Sequence, residues 1–116
     1  MRIIEAINNM ISNTDKITEV YKNGNEYFFL FNKKYKWSIT TNEDKYTLFL
    51  YPKQDRSIED LAKMESHEFQ DYTDFVVFKS EETKTREALE SYSELYQIVG
   101  SKVFGVDTIL DDIINT

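Results

Sequence analysis

ITEVYKNGNEYFFLFNKKYKWSITTNEDKYTLFLY, residues 17–51, is the stretch that decides the fold. Aromatic and β-branched residues crowd four short runs, Ile17–Lys22, Glu26–Phe31, Tyr35–Thr40 and Tyr46–Tyr51, as they do in strands that pack on a pleated surface. Asn23-Gly24-Asn25, Asn32-Lys33-Lys34 and a loop at 41–44 or 41–45 separate the runs. Gly24 and the asparagines tolerate the positive φ of tight hairpins, so the stretch predicts an antiparallel meander.

The third run alternates, with Tyr35, Trp37 and Ile39 on one face and Lys36, Ser38 and Thr40 on the other. A three-residue loop at 32–34 sets Phe29 opposite Trp37 and Tyr27 opposite Ile39. A four-residue loop at 41–44 sets Leu48 opposite Trp37 and Tyr46 opposite Ile39. Both registers gather apolar residues on one face, which is the expected core, whereas a one-residue slip scatters them. The reverse face carries Phe28, Leu30, Phe49 and Tyr51. Either the chain covers this face itself or a partner meets it.

Working outward, Ile3, Ile7, Met10 and Ile11 recur at helical spacing and predict a helix over 2–12. After a loop at 52–56, Ser57 can cap a short helix at 58–65, whose first turn holds Glu59 and Asp60. Residues 66–72 form an acidic connection. Phe75–Phe78 is apolar on both faces, as an interior strand would be. Ser80 with Glu81 and Glu82 predicts the start of a long helix carrying Ala88, Leu89, Tyr92, Leu95, Tyr96 and Val99, which Gly100 or Gly105 stops. Val106, Ile109, Leu110, Ile113 and Ile114 then define a last amphipathic helix, with Asp107, Asp111 and Asp112 on its wet side. The expected fold is a single α+β domain of order α-ββββ-α-β-α-α. It is an antiparallel meander of four strands plus a fifth strand, packed with an N-terminal helix and C-terminal helices.

Composition narrows the function classes. At 116 residues the chain suits one domain, and an apolar fraction of 41% supplies its core. The absence of cysteine removes disulfides, thiolate nucleophiles and iron–sulfur ligation. Glu5, Asn8 and Asn9 interrupt any signal-peptide core, and no apolar run approaches membrane-spanning length, so a cytoplasmic protein is expected. The net charge of −7 is uneven: residues 1–56 hold nine Lys/Arg and seven Asp/Glu, whereas 57–116 hold five and fourteen. Such a balance repels phosphate backbones and anionic lipid, so neither nucleic-acid nor membrane binding is expected.

Four patterns invite chemistry, and each has a plainer reading. His67 is the only histidine and lacks a second ligand at helical spacing, so it reads as an exposed loop residue. Paired carboxylates could serve glycoside hydrolysis if two faced one cleft, but most acids here fall on wet helix faces. Glu82-Thr83-Lys84 after Asp74 has the residue types of a metal-dependent nuclease site, which needs its Glu and Lys on a strand rather than a helix start. Lys33-Lys34-Tyr35-Lys36-Trp37 interleaves bases with aromatics, as single-strand binders do, yet the core claims Trp37. Phosphate-loop, dinucleotide and EF-hand signatures do not occur, and no cofactor or metal is expected.

Two oddities remain. One is the aromatic face of Phe28, Leu30, Phe49 and Tyr51. The other is the acidic second half, which offers Glu59, Asp60, Glu65, Glu68, Asp71, Asp107, Asp111 and Asp112. Contiguous apolar surface and dense carboxylates both suit a macromolecular partner. The sequence therefore points to a non-enzymatic protein that binds another protein, as an inhibitor, immunity or chaperone-like factor does. The alternatives are a homodimer whose aromatic face closes a small-ligand pocket and a small carboxylate-dependent hydrolase.

Overall fold

A computed structural model describes residues 2–64, 74–103 and 105–116. Helix α1 (Arg2–Ser12) precedes a 3-10 turn at Thr14–Lys16. The meander follows as β1 (Ile17–Asn23), β2 (Glu26–Phe31), β3 (Tyr35–Asn42) and β4 (Lys45–Leu50). Helix α2 (Ile58–Lys63), strand β5 (Val76–Lys79) and helices α3 (Arg86–Val103) and α4 (Val106–Ile114) complete the described elements. The five strands form one antiparallel sheet in sequence order.

The turns explain the register. Phe29 pairs with Trp37 and Tyr27 with Ile39 across the three-residue loop, as the alternation predicts. The next hairpin departs from expectation by two residues: Trp37 faces Leu50 and Ile39 faces Leu48. Glu43 and Asp44 both adopt left-handed backbone, φ 50° and 65°, and close the turn in two residues instead of four. Such mirror-image turns match the twist of the flanking strands. A shift of two preserves the facing of every side chain, so the core face stands. In β1, Glu19 at φ 51° marks a bulge between Thr18 and Tyr21.

One sheet face builds the main core. Phe29, Trp37, Ile39 and Leu48 pack there with Ile7 and Met10 of α1 and with Tyr92, Leu95 and Val99 of α3. Thr85 caps α3 by accepting a hydrogen bond from the Ala88 amide at 3.1 Å. The expected start at Ser80 is instead a 3-10 turn, Ser80–Glu82, whose Ser80 hydroxyl accepts from the Tyr46 amide at 2.8 Å. Gly100 lies inside α3 because the Tyr27 ring leaves no room there: a Cβ would meet Tyr27 Cε2 at 3.0 Å. Gly105, left-handed at φ 62°, separates α3 from α4.

The reverse face builds a second, smaller core. Phe28, Leu30 and Tyr51 pack with Ile58, Leu61, Ala62 and Met64, so α2 and its C-terminal neighbour cover that face. Ser57 caps α2 as expected, accepting from the Asp60 amide at 3.1 Å. Two further expectations are corrected. Strand β5 is an edge strand, not an interior one, because the sheet keeps sequence order; Val76 and Val77 are exposed. Helix α4 does not bury the aliphatic residues described on it: Ile109, Leu110, Ile113 and Ile114 all stand in solvent.

Candidate functional site

The polar middle strand turns out to be an internal fastening. Lys36 donates from Nζ to the carbonyls of Gln54 at 2.8 Å and Arg56 at 2.6 Å, tying the 52–57 connection to the sheet. Ser38 is fully buried. Its hydroxyl donates to Glu26 Oε2 at 2.7 Å and lies 2.8 Å from the Tyr51 hydroxyl. A serine has one proton to give, so with that proton directed at Glu26 Oε2, Tyr51 is the donor to Ser38. Burial raises the Glu26 carboxyl above its ordinary range, a shift the Ser38 hydrogen bond opposes. Burial also raises the Tyr51 phenol, again against the Ser38 hydrogen bond, with the nearby Glu26 charge adding to the rise. The sequence places Ser38 on the same face as Phe28, Leu30, Phe49 and Tyr51 but does not announce this Tyr51–Ser38–Glu26 chain. A serine between Phe28 and Phe49 on neighbouring strands was the available signal.

The aromatic face is occupied from within. Phe28 and Tyr51 lie in the second core with ring centroids 6.4 Å apart, and Leu30 is buried beside them. Phe49 is half-buried, and its ring meets Phe75 edge-on at 5.4 Å. In the folded chain, then, Phe28, Leu30 and Tyr51 do not form an open surface. The base–aromatic stretch is similarly dispersed: Trp37 is in the core, Lys36 holds carbonyls, and the Lys34 ammonium sits 5.2 Å from the centroid of the exposed Tyr35 ring.

The acidic residues are spread over separate elements. Glu59 and Asp60 are exposed on α2, where Glu59 pairs with Lys63 at 3.0 Å. Asp111 and Asp112 are exposed on α4. Glu65, Glu68, Asp71, His67 and the side chain of Asp107 lie outside the described residues. Among the described residues no three His, Asp or Glu side chains converge as a metal site. Glu82 ends a 3-10 turn and Lys84 follows in the approach to α3, so this pair shares no strand. No helix among the described residues is long and apolar enough to cross a membrane.

The surface that does stand out is α4. Ile109 is 53% exposed, Leu110 49%, Ile113 65% and Ile114 77%. At 3.6 residues per turn these four occupy an arc of roughly 140°, with Asp111 about 60° beyond one edge and Asp112 about 60° beyond the other. Thr108 is on the opposite side of the helix and lines the shallow groove between α4 and residues 17–20 of β1. The helix thus turns its polar back to the body and its aliphatic front outward, the reverse of a helix packed for its own core.

No protein-family model matches the chain, and neither a curated protein nor a solved structure shows significant similarity to it.

Proposed function

We propose that the chain is a non-enzymatic protein-binding domain that acts by occupying a surface of another protein, as an inhibitor, immunity or chaperone-like factor does. The observation that carries this reading is the outward-facing aliphatic stripe of α4. Isolated exposed leucines are ordinary, but four large aliphatic side chains contiguous on one helix mark an interaction surface. The sheet itself offers less, since the main core takes one face and α2 the other. The residues that a small-ligand pocket would have used, Phe28, Leu30 and Tyr51, are packed against Ile58 and Leu61.

The test is affinity capture with the purified full chain from a lysate of the cells that produce it, followed by measurement of stoichiometry. One protein retained at a fixed ratio is the expected result. A chain that retains none across low and moderate salt, yet turns over a substrate in hydrolase screens, would overturn the proposal.

A further inference from the structure

The α4 surface has features that define the chemistry of what covers it. A nine-residue helix is short of the roughly 12–15 residues that hold a helix unaided in water. From Thr108 to Thr116 every side chain is exposed, so the rest of the chain contributes little packing to it. Its last turn carries Asp111 and Asp112, at the end where the helix dipole is already negative. No lysine or arginine occurs from residue 103 to 116 to offset them. Among the described residues the helix therefore lacks two things at once: an apolar surface against Ile109, Leu110, Ile113 and Ile114, and an ion-pair partner for Asp111 or Asp112.

A second α4 supplies the first and worsens the second. Pairing two such helices sets aspartates against aspartates with no intervening cation, and like charges across an interface are a strong selector against it. An anionic membrane surface fails for the same reason.

Resting on the protein-binding reading above, we infer that α4 docks stripe-first into an apolar groove of a partner protein whose rims carry lysine or arginine. The stripe fills the groove in the helix-in-groove mode, with Ile109/Ile113 and Leu110/Ile114 as successive i, i+4 anchors. Asp111 and Asp112, one beyond each edge of the stripe, reach the two cationic rims. Cations at that end also complement the helix C-terminus, so docking and helix formation reinforce each other.

The probe is a synthetic helical hairpin presenting a leucine groove bordered by lysines, with a counterpart bearing glutamates in their place. Each is titrated with the full chain by fluorescence anisotropy. The lysine hairpin should bind at least tenfold tighter than the glutamate one. Leu110→Asp or Ile113→Asp should weaken binding tenfold or more while leaving the melting temperature unchanged. The double variant Asp111→Asn/Asp112→Asn should weaken it several-fold and flatten its salt dependence, whereas Glu59→Gln/Asp60→Asn on α2 should not. Equal binding of both hairpins, or an equal effect of the α2 and α4 neutralisations, would overturn the inference. So would sedimentation showing a dimer that Ile113→Asp dissociates, or α4-dependent binding to zwitterionic vesicles. If a captured cellular protein still binds Ile113→Asp, this inference fails while the protein-binding reading stands; if wild type captures nothing and turns over a substrate in hydrolase screens, that reading itself falls.

Discussion

Leu61 and Leu110 are the same residue type in opposite circumstances, and truncating each to alanine tests how the chain divides its apolar surface. Leu61 is fully buried under the sheet at the centre of the second core. Removing a buried leucine side chain costs about 2–5 kcal/mol, set by how far the site collapses. Collapse is restricted here because α2 has only six residues and is held by its contacts with Phe28, Leu30 and Tyr51. We expect a loss of about 3 kcal/mol, a large share of the ~6–17 kcal/mol that a domain of this size has. Leu110 is 49% exposed on α4, so its truncation should change stability by no more than about 0.5 kcal/mol. The assay is urea unfolding followed by the fluorescence of Trp37, the only tryptophan, which is buried in the main core. With a slope of about 1–2 kcal/mol per molar, Leu61→Ala should lower the midpoint by about 1.5–3 M, and Leu110→Ala should leave it nearly in place. A loss below about 1 kcal/mol for Leu61→Ala would refute the claim that α2 seals the reverse face. A comparable loss for Leu110→Ala would mean that α4 packs on its own chain.

Two further predictions use the interior. Because burial raises the Glu26 carboxyl above its ordinary value, the folded chain keeps a proton over a pH range in which the unfolded chain has lost it. Its contribution to stability is full below that value and is lost as pH rises through the folded pKa. Glu26→Gln removes the ionisation, so its stability relative to wild type should improve from pH 4 to pH 8; a pH-independent difference in thermal melts would contradict the linkage. Gly100→Ala gains about 1 kcal/mol of helix propensity but drives a methyl into the Tyr27 ring, which already lies tilted against Tyr96 with ring centroids 4.8 Å apart. Overpacking of about 1–3 kcal/mol should win, for a net loss of about 1 kcal/mol. In a Tyr27→Ala background the same change should be neutral or stabilising, and equal effects in both backgrounds would sink the steric account.

Much of the sheet was legible because its signals are local. The alternation around Trp37 and the length of the 32–34 loop fix the pairing with Phe29, since a slip by one would expose the core. The β3–β4 turn was misjudged because Glu43 and Asp44 adopt positive φ without the Asn-Gly or Asp-Gly pair that normally announces it. The fate of the aromatic face depended on where a six-residue helix would dock, a long-range matter that periodicity does not record. The hydrogen bonds of Ser38 leave no local signal, because its partners, Glu26 and Tyr51, are 12 and 13 residues away. In α4 the spacing revealed the stripe correctly. Its direction was invisible, because an amphipathic pattern is the same whether the apolar side faces its own core or another protein.

The most direct measurement of the central claim is parallel capture from one lysate by wild type, Ile113→Asp and Lys53→Ala, the last on the exposed loop after β4. Matched circular dichroism melts would show that all three are folded. If α4 is the docking surface, a stoichiometric protein is retained by wild type and Lys53→Ala and lost with Ile113→Asp. Retention of the same protein by all three chains would contradict the claim and place the contact elsewhere on the molecule.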